Sequence, residues 1–150
     1  MIKHFLMSTL AASALFVPLM ESDAVARSVT ASTGQARVGS QASCFTYSFT
    51  TGAVTSTCST DFIVPLTTDA SGNKSLTFTS RATAAGASCR AVANNRFGTS
   101  FSGSAFLSVP VNANFVSQTT GSVFVPGLGV FFADCITNSG TSLNEFDYAP

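Results

Sequence analysis

Ser122–Cys135, SVFVPGLGVFFADC, is the stretch whose reading decides the fold class. Val123, Phe124 and Val125 lead into Pro126-Gly127, and Val130, Phe131 and Phe132 lead out toward Cys135. Proline at the second position of a turn presets φ, and glycine at the third tolerates positive φ. Two β-prone apolar runs about such a turn predict a buried hairpin, anchored at one end by a disulfide. Phe131 and Phe132 are adjacent, so on a strand they face opposite ways. One of them must point away from the core, where it packs under a loop or marks a contact surface.

The cysteines come next. The chain carries four, Cys44, Cys58, Cys89 and Cys135, an even number that predicts two disulfides if the protein is exported. Phe45, Tyr47 and Phe49 alternate with Thr46 and Ser48, Thr50-Thr51-Gly52 offers a turn with glycine at its left-handed position, and Ala53–Cys58 returns. Folding about Thr51 sets Phe49 opposite Ala53, Tyr47 opposite Thr55 and Cys44 opposite Cys58, within disulfide reach. That leaves Cys89 for Cys135. The register carries a conflict, because it turns the bridge to the face opposite the three aromatic residues. Either both faces are covered or the register is off by one.

The rest of the chain repeats the same period. Phe62, Val64 and Leu66 alternate with Ile63 and Pro65, and Pro65 predicts an edge strand or a bulge. Asp69–Asn73 is a turn cluster, and Leu76 and Phe78 return. Ser88–Ala93 carries Cys89 as a strand. Phe101, Ala105, Leu107 and Val109 share one face of a long strand that bends at Pro110 and continues through Val111, Ala113 and Phe115. Leu143–Tyr148 is the last strand. The expected fold is all-β, a two-sheet antiparallel sandwich stapled by two disulfides, with a small closed barrel as the alternative.

Residues 1–26 read as a secretory signal peptide. Lys3 and His4 form its basic start, Phe5–Met20 its apolar run, and Ala24-Val25-Ala26 its cleavage site, with the cut between Ala26 and Arg27. The short basic start is of bacterial type, and the expected location is secreted or periplasmic. Residues 27–43 are expected as an N-terminal loop or extended segment, and 44–150 as one β-sandwich domain.

Composition excludes several function classes. The mature chain has no histidine, six basic and five acidic residues, and no basic cluster. That argues against nucleic acid or an anionic membrane as partner, while so little charge favours self-association. Without imidazole, Ser-His-Asp and Cys-His mechanisms are out, and zinc lacks its usual ligands. Ser71-Gly72-Asn73-Lys74 matches the S-x-x-K nucleophile pattern but falls in a turn between strands rather than at a helix start, so it reads as turn chemistry. Asn73-Lys74-Ser75 is a glycosylation sequon whose asparagine the same turn explains. Glu145 and Asp147 share a strand face and are the candidate carboxylate pair for glycoside hydrolysis or, with Asn144, for calcium. Against both, no tryptophan is available to stack a sugar, and the calcium-loop pattern is missing. No catalytic, cofactor or metal site is expected. The reading is an exported non-enzymatic binding or envelope-associated module with a protein or surface partner. A polymerising surface subunit and a periplasmic hydrolase inhibitor are the alternatives.

Overall fold

The computed structural model describes residues 26–68 and 70–148. Alternating β-branched, aromatic and hydroxyl residues form strands β1 (Arg27–Thr30), β2 (Gln35–Ala36), β3 (Phe45–Tyr47), β4 (Val54–Ser56), β5 (Thr60–Leu66), β6 (Gly72–Lys74) and β7 (Leu76–Arg81). They continue as β8 (Ser88–Asn94), β9 (Phe101–Gly103), β10 (Leu107–Ser108), β11 (Val116–Thr119), β12 (Val123–Val125), β13 (Val130–Thr137) and β14 (Ser142–Tyr148). One antiparallel sheet runs β11-β7-β14-β4-β3, with β1 also beside β14. The second runs β10-β8-β13-β5-β2, with β9 beside β8, and β12 pairs β6 in a separate short ladder. Neither sheet closes on itself. The protein is a sandwich, not a barrel.

Period-two alternation buries one face of each sheet. Leu76, Phe78 and Phe146 of the first sheet face Phe62, Val64 and Phe131 of the second across a continuous core. Contact between the layers is aromatic at two places. Phe45 meets Phe62 with ring centroids 4.6 Å apart, and Phe131 meets Tyr148 edge-on at 5.7 Å. Each fully buried phenylalanine contributes roughly 1.5–3 kcal/mol relative to exposure, so these rings are the main cohesive term between the sheets. Both disulfides form as expected, Cys44–Cys58 with Cα atoms 5.4 Å apart and Cys89–Cys135 at 4.1 Å. The second joins directly opposed residues of β8 and β13 on the buried face.

Several expectations are corrected. Ser122–Cys135 is not a hairpin: β12 pairs β6, while β13 is flanked by β5 on one side and β8 on the other. With both edges of β13 taken, no edge remains for β12. The turn itself is displaced by one residue. Gly129 donates to the Pro126 carbonyl at 2.9 Å, so Leu128 rather than Gly127 takes the left-handed position, with φ 59°. Gly129 is demanded by packing, since a Cβ there would lie 2.6 Å from the Asn94 carbonyl oxygen.

The first hairpin turns at Gly52, at φ 71°, but Phe45 pairs Ser56 and Tyr47 pairs Val54. This register is shifted by one and resolves the conflict noted above. Phe49 consequently leaves the strand and is 89% exposed. The long strand expected from Phe101 through Phe115 breaks into β9, β10 and loop. Pro65 sits on β5 opposite Phe132 of β13, and β2 reaches only Phe62 and Ile63, so among the described strands the other side of β5 is a free edge at Pro65, as expected. Residues 27–43, expected as a loop or extended segment ahead of the domain, include two extended stretches that belong to it: β1 pairs β14 and β2 pairs β5, so the chain enters both sheets before residue 44. The expected signal segment, apart from Ala26, lies outside the described residues.

Candidate functional site

The outer face of the second sheet concentrates chemistry that a merely solvated face does not require. Cys135 opposes Cys89 with both side chains inward, so their neighbours Asp134 and Arg90 oppose each other with side chains outward. Arg90 donates Nε–H to Asp134 Oδ2 at 2.9 Å, and its Nη2 lies 2.8 Å from the same oxygen. Asp134 is only 2% exposed, and its other oxygen, Oδ1, has no hydrogen-bond donor among the described residues. Arg37, carried past β2 by its backbone bond to Asp61, places Nη1 3.9 Å from that oxygen and 3.3 Å from Asp61 Oδ2. Two arginines and two aspartates therefore form one charge-balanced network across β2, β5, β13 and β8.

Two phenylalanines flank this network. The Arg90 guanidinium lies 4.3 Å from the Phe106 ring centroid and 5.5 Å from that of Phe101. Both rings stay open to solvent, Phe101 at 60% and Phe106 at 41%. A slip in register brings them together. Phe101 opposes Asn94 and Gly103 opposes Val92, but Leu107 opposes Cys89, so one extra residue is accommodated between β9 and β10. Ser104 spans the irregularity, its hydroxyl accepting from the Ala91 amide at 3.0 Å. Bulges of this kind re-aim side chains. Here the slip turns Leu107 inward and leaves Phe106 outward beside Phe101. At Gly103 a Cβ would stand 3.2 Å from the Phe101 ring, so only glycine lets the ring lie over the strand without moving it. Phe132 and Ile63 add half-buried apolar surface to this outer face, and Phe131 is the partner that faces the core.

The residues singled out from sequence lie elsewhere. Ser71 is exposed and lines an open cleft of about 390 Å³ with Thr68, Pro126 and Leu128, whereas Lys74 is buried on β6 opposite Val123, so the structure gives S-x-x-K no common site. Asn73 is exposed on the same short strand. Glu145 and Asp147 share the outer face of the first sheet, opposite Thr79 and Thr77, and Glu145 accepts a hydrogen bond from the Ser28 hydroxyl. Among the described residues no three His, Cys, Asp or Glu side chains group as metal ligands. No sequence motif marks the Arg90–Asp134 network, yet the cysteine positions carry a signal for it. Placing Cys89 directly opposite Cys135 in an antiparallel ladder sets Arg90 opposite Asp134.

No protein-family model matches this sequence, and neither does any curated protein. Solved structures do. A carbohydrate-binding module of Cellvibrio mixtus lichenase 5A, solved in complex with cellotriose, aligns with TM-score 0.56 over 83% of this chain and 96% of that one, at 13% identity. The C-terminal CBM6 of a marine laminarinase from Zobellia galactanivorans aligns with TM-score 0.58 over 84% of this chain and all of that one, at 14% identity. The CBM1 module of BiXyn10A in its apo form gives TM-score 0.52, at 12% identity. The likeness is one of fold.

Proposed function

We propose that this chain is an exported, non-catalytic carbohydrate-binding module whose ligand face is the outer face of the second sheet. The observation that carries the reading is the exposed Phe101–Phe106 pair over the Arg90–Asp134 network. A sugar ring offers an apolar face to an aromatic side chain, and its hydroxyls need both donors and acceptors at the edge. Phe101 and Phe106 provide the first, and guanidinium and carboxylate groups provide the second. The network balances its own charge, which suits a neutral polysaccharide over an acidic one. The shared fold with carbohydrate-binding modules supports the assignment. Export rests on the signal-like segment and the two disulfides. A subunit that polymerised by exchanging its N-terminal strand would first have to release β1 from β14 and β2 from β5.

The test is retention of the purified mature chain on cellulose, mixed-linkage glucan, laminarin and mannan. Phe101→Ala and Phe106→Ala are each expected to weaken binding at least about tenfold, the size of a buried aromatic contact at an interface centre. Failure to retain on any of these polymers, or equal retention of both variants, removes the assignment.

A further inference from the structure

The first sheet has a second candidate surface, independent of the one just described. At its end, Arg81 of β7, Ser142 of β14 and Thr55 of β4 line a cleft of about 420 Å³, closed by Thr83, Asn112 and Gly140. That volume lies within the range of roughly 300–1,000 Å³ typical of small-ligand sites. Most of the cleft's exposed wall is apolar, Ala82 and Ala113 included, with the hydroxyls of Thr55, Thr83 and Ser142 set into it. Thr55 and Ser142 share a hydrogen bond of 3.0 Å, and Asn112 is anchored by its backbone donating to the Ala82 carbonyl at 3.1 Å.

Arg81 sets the chemistry. Its guanidinium lies 4.7 Å from the Phe115 ring centroid, and Nη1 donates to the Ala113 carbonyl at 2.7 Å. The head group is thus held in one orientation before any ligand arrives. Guanidinium has five N–H donors, and among the described residues one is used. Arg37 and Arg90 are paired with aspartate, but Arg81 has no carboxylate within 4.0 Å among the described residues. A preorganised, uncompensated guanidinium at the wall of a largely apolar cleft with a few hydroxyls is the geometry that receives a planar carboxylate through two parallel N–H···O bonds. Glu145 lies one step further along the same face, opposite Thr79, so repulsion confines an anion to the Arg81 end.

We propose that this cleft binds the carboxylate of a uronic acid residue, with Arg81 as the anchor, Thr55 and Thr83 addressing the ring hydroxyls, and the buried Ser142 holding the Thr55 hydroxyl in place. The choice of a sugar as bearer of the carboxylate rests on the carbohydrate-binding reading above. The site itself does not share a residue with that face.

The experiment is a 15N NMR titration of the mature chain with D-glucuronate, D-glucose and sulfate at physiological salt, about 0.15 M. Glucuronate is expected to shift the Arg81 Nε–H signal and the Thr83, Asn112 and Ser142 amides, and glucose to leave them in place. Arg81→Lys keeps the charge but loses the fork, and should weaken glucuronate binding about tenfold. Arg81→Gln should abolish it, and Phe101→Ala should leave it unchanged. Equal shifts with sulfate, or full affinity in Arg81→Lys, overturn the uronate assignment. Absence of shifts with glucuronate overturns it too, and if neutral polysaccharide is still retained the other face keeps its reading. Conversely, glucuronate shifts without any neutral retention uphold this cleft and remove the other face.

Discussion

Removing the Asp134 carboxylate is the sharpest test of the outer-face network. In Asp134→Ala, Arg90 loses both of its contacts to Oδ2 while remaining beneath Phe101 and Phe106. Breaking a buried ion pair from one side costs about 3–5 kcal/mol, because the surviving charge is left without compensation. Arg90 is partly exposed, so water takes up some of that loss, and the expected cost falls to about 2–3 kcal/mol. For a domain of this size that is a drop in Tm of roughly 8–12 °C. Urea unfolding with the disulfides intact measures it directly, as a lower midpoint at unchanged m. The companion variant Arg90→Met/Asp134→Leu removes both charges together. Its stability should come within about 1 kcal/mol of the parent, or exceed it, since well-packed apolar pairs often replace buried ion pairs without loss. Polysaccharide retention should nevertheless disappear. A cost below about 1 kcal/mol in Asp134→Ala, or a double variant as unstable as the single one, would refute the claim that these residues act as one coupled unit.

The remaining predictions concern the scaffold. Opening Cys89–Cys135, which spans 46 residues, should cost about 4 kcal/mol by chain entropy, and opening Cys44–Cys58, which spans 14, about 3 kcal/mol. Paired Cys→Ala variants compared by urea midpoint should therefore rank in that order, and the reverse order would count against the entropic account. Leu128 holds φ 59° while 78% exposed, so Leu128→Gly should raise stability by about 0.5–1 kcal/mol; a loss would show that the leucine packs in solution. Lys74 is buried, with no ion pair among the described residues, and Lys74→Met should raise the urea midpoint by the equivalent of about 1 kcal/mol. An unchanged or lower midpoint would indicate that its ammonium reaches water or a partner.

Period-two alternation made the fold class legible because it is a local signal that one face of each strand needs only its own residues to produce. Phe62, Val64 and Leu66, or Leu76 and Phe78, announce a buried face without reference to any partner. Pairing is not local. The run around Phe131 resembles half of a hairpin because the turn at Pro126–Gly129 is real, with its 2.9 Å bond. Nothing in those residues reports that β5 and β8, some 40 to 70 positions away, already occupy both edges of β13. Parity failed for a related reason at Phe101. A single extra residue between Gly103 and Leu107 inverts every inside–outside assignment beyond it, and no composition signal marks that insertion.

The candidate site follows from the same geometry. A disulfide marks the register where its cysteines oppose each other directly, as Cys89 and Cys135 do, whereas Cys44–Cys58 closes over a hairpin whose register is shifted by one. From Cys89 opposite Cys135 it follows that Arg90 opposes Asp134 on the other face, and that an ion pair lies behind the bridge. The covalent pair inside and the ionic pair outside are two consequences of one register. What that register cannot supply is the aromatic cover, which depends on the β9–β10 slip, or Arg37, which arrives from a segment read as lying outside the domain. The site is therefore assembled from one element that the sequence specifies locally and two that only the closed fold brings to it. This division also says where variation should act. Substitutions in the β9–β10 connection should retune the ligand while leaving the Cys89–Cys135 register and the core untouched, whereas any change that breaks that register should remove the site and the stability together.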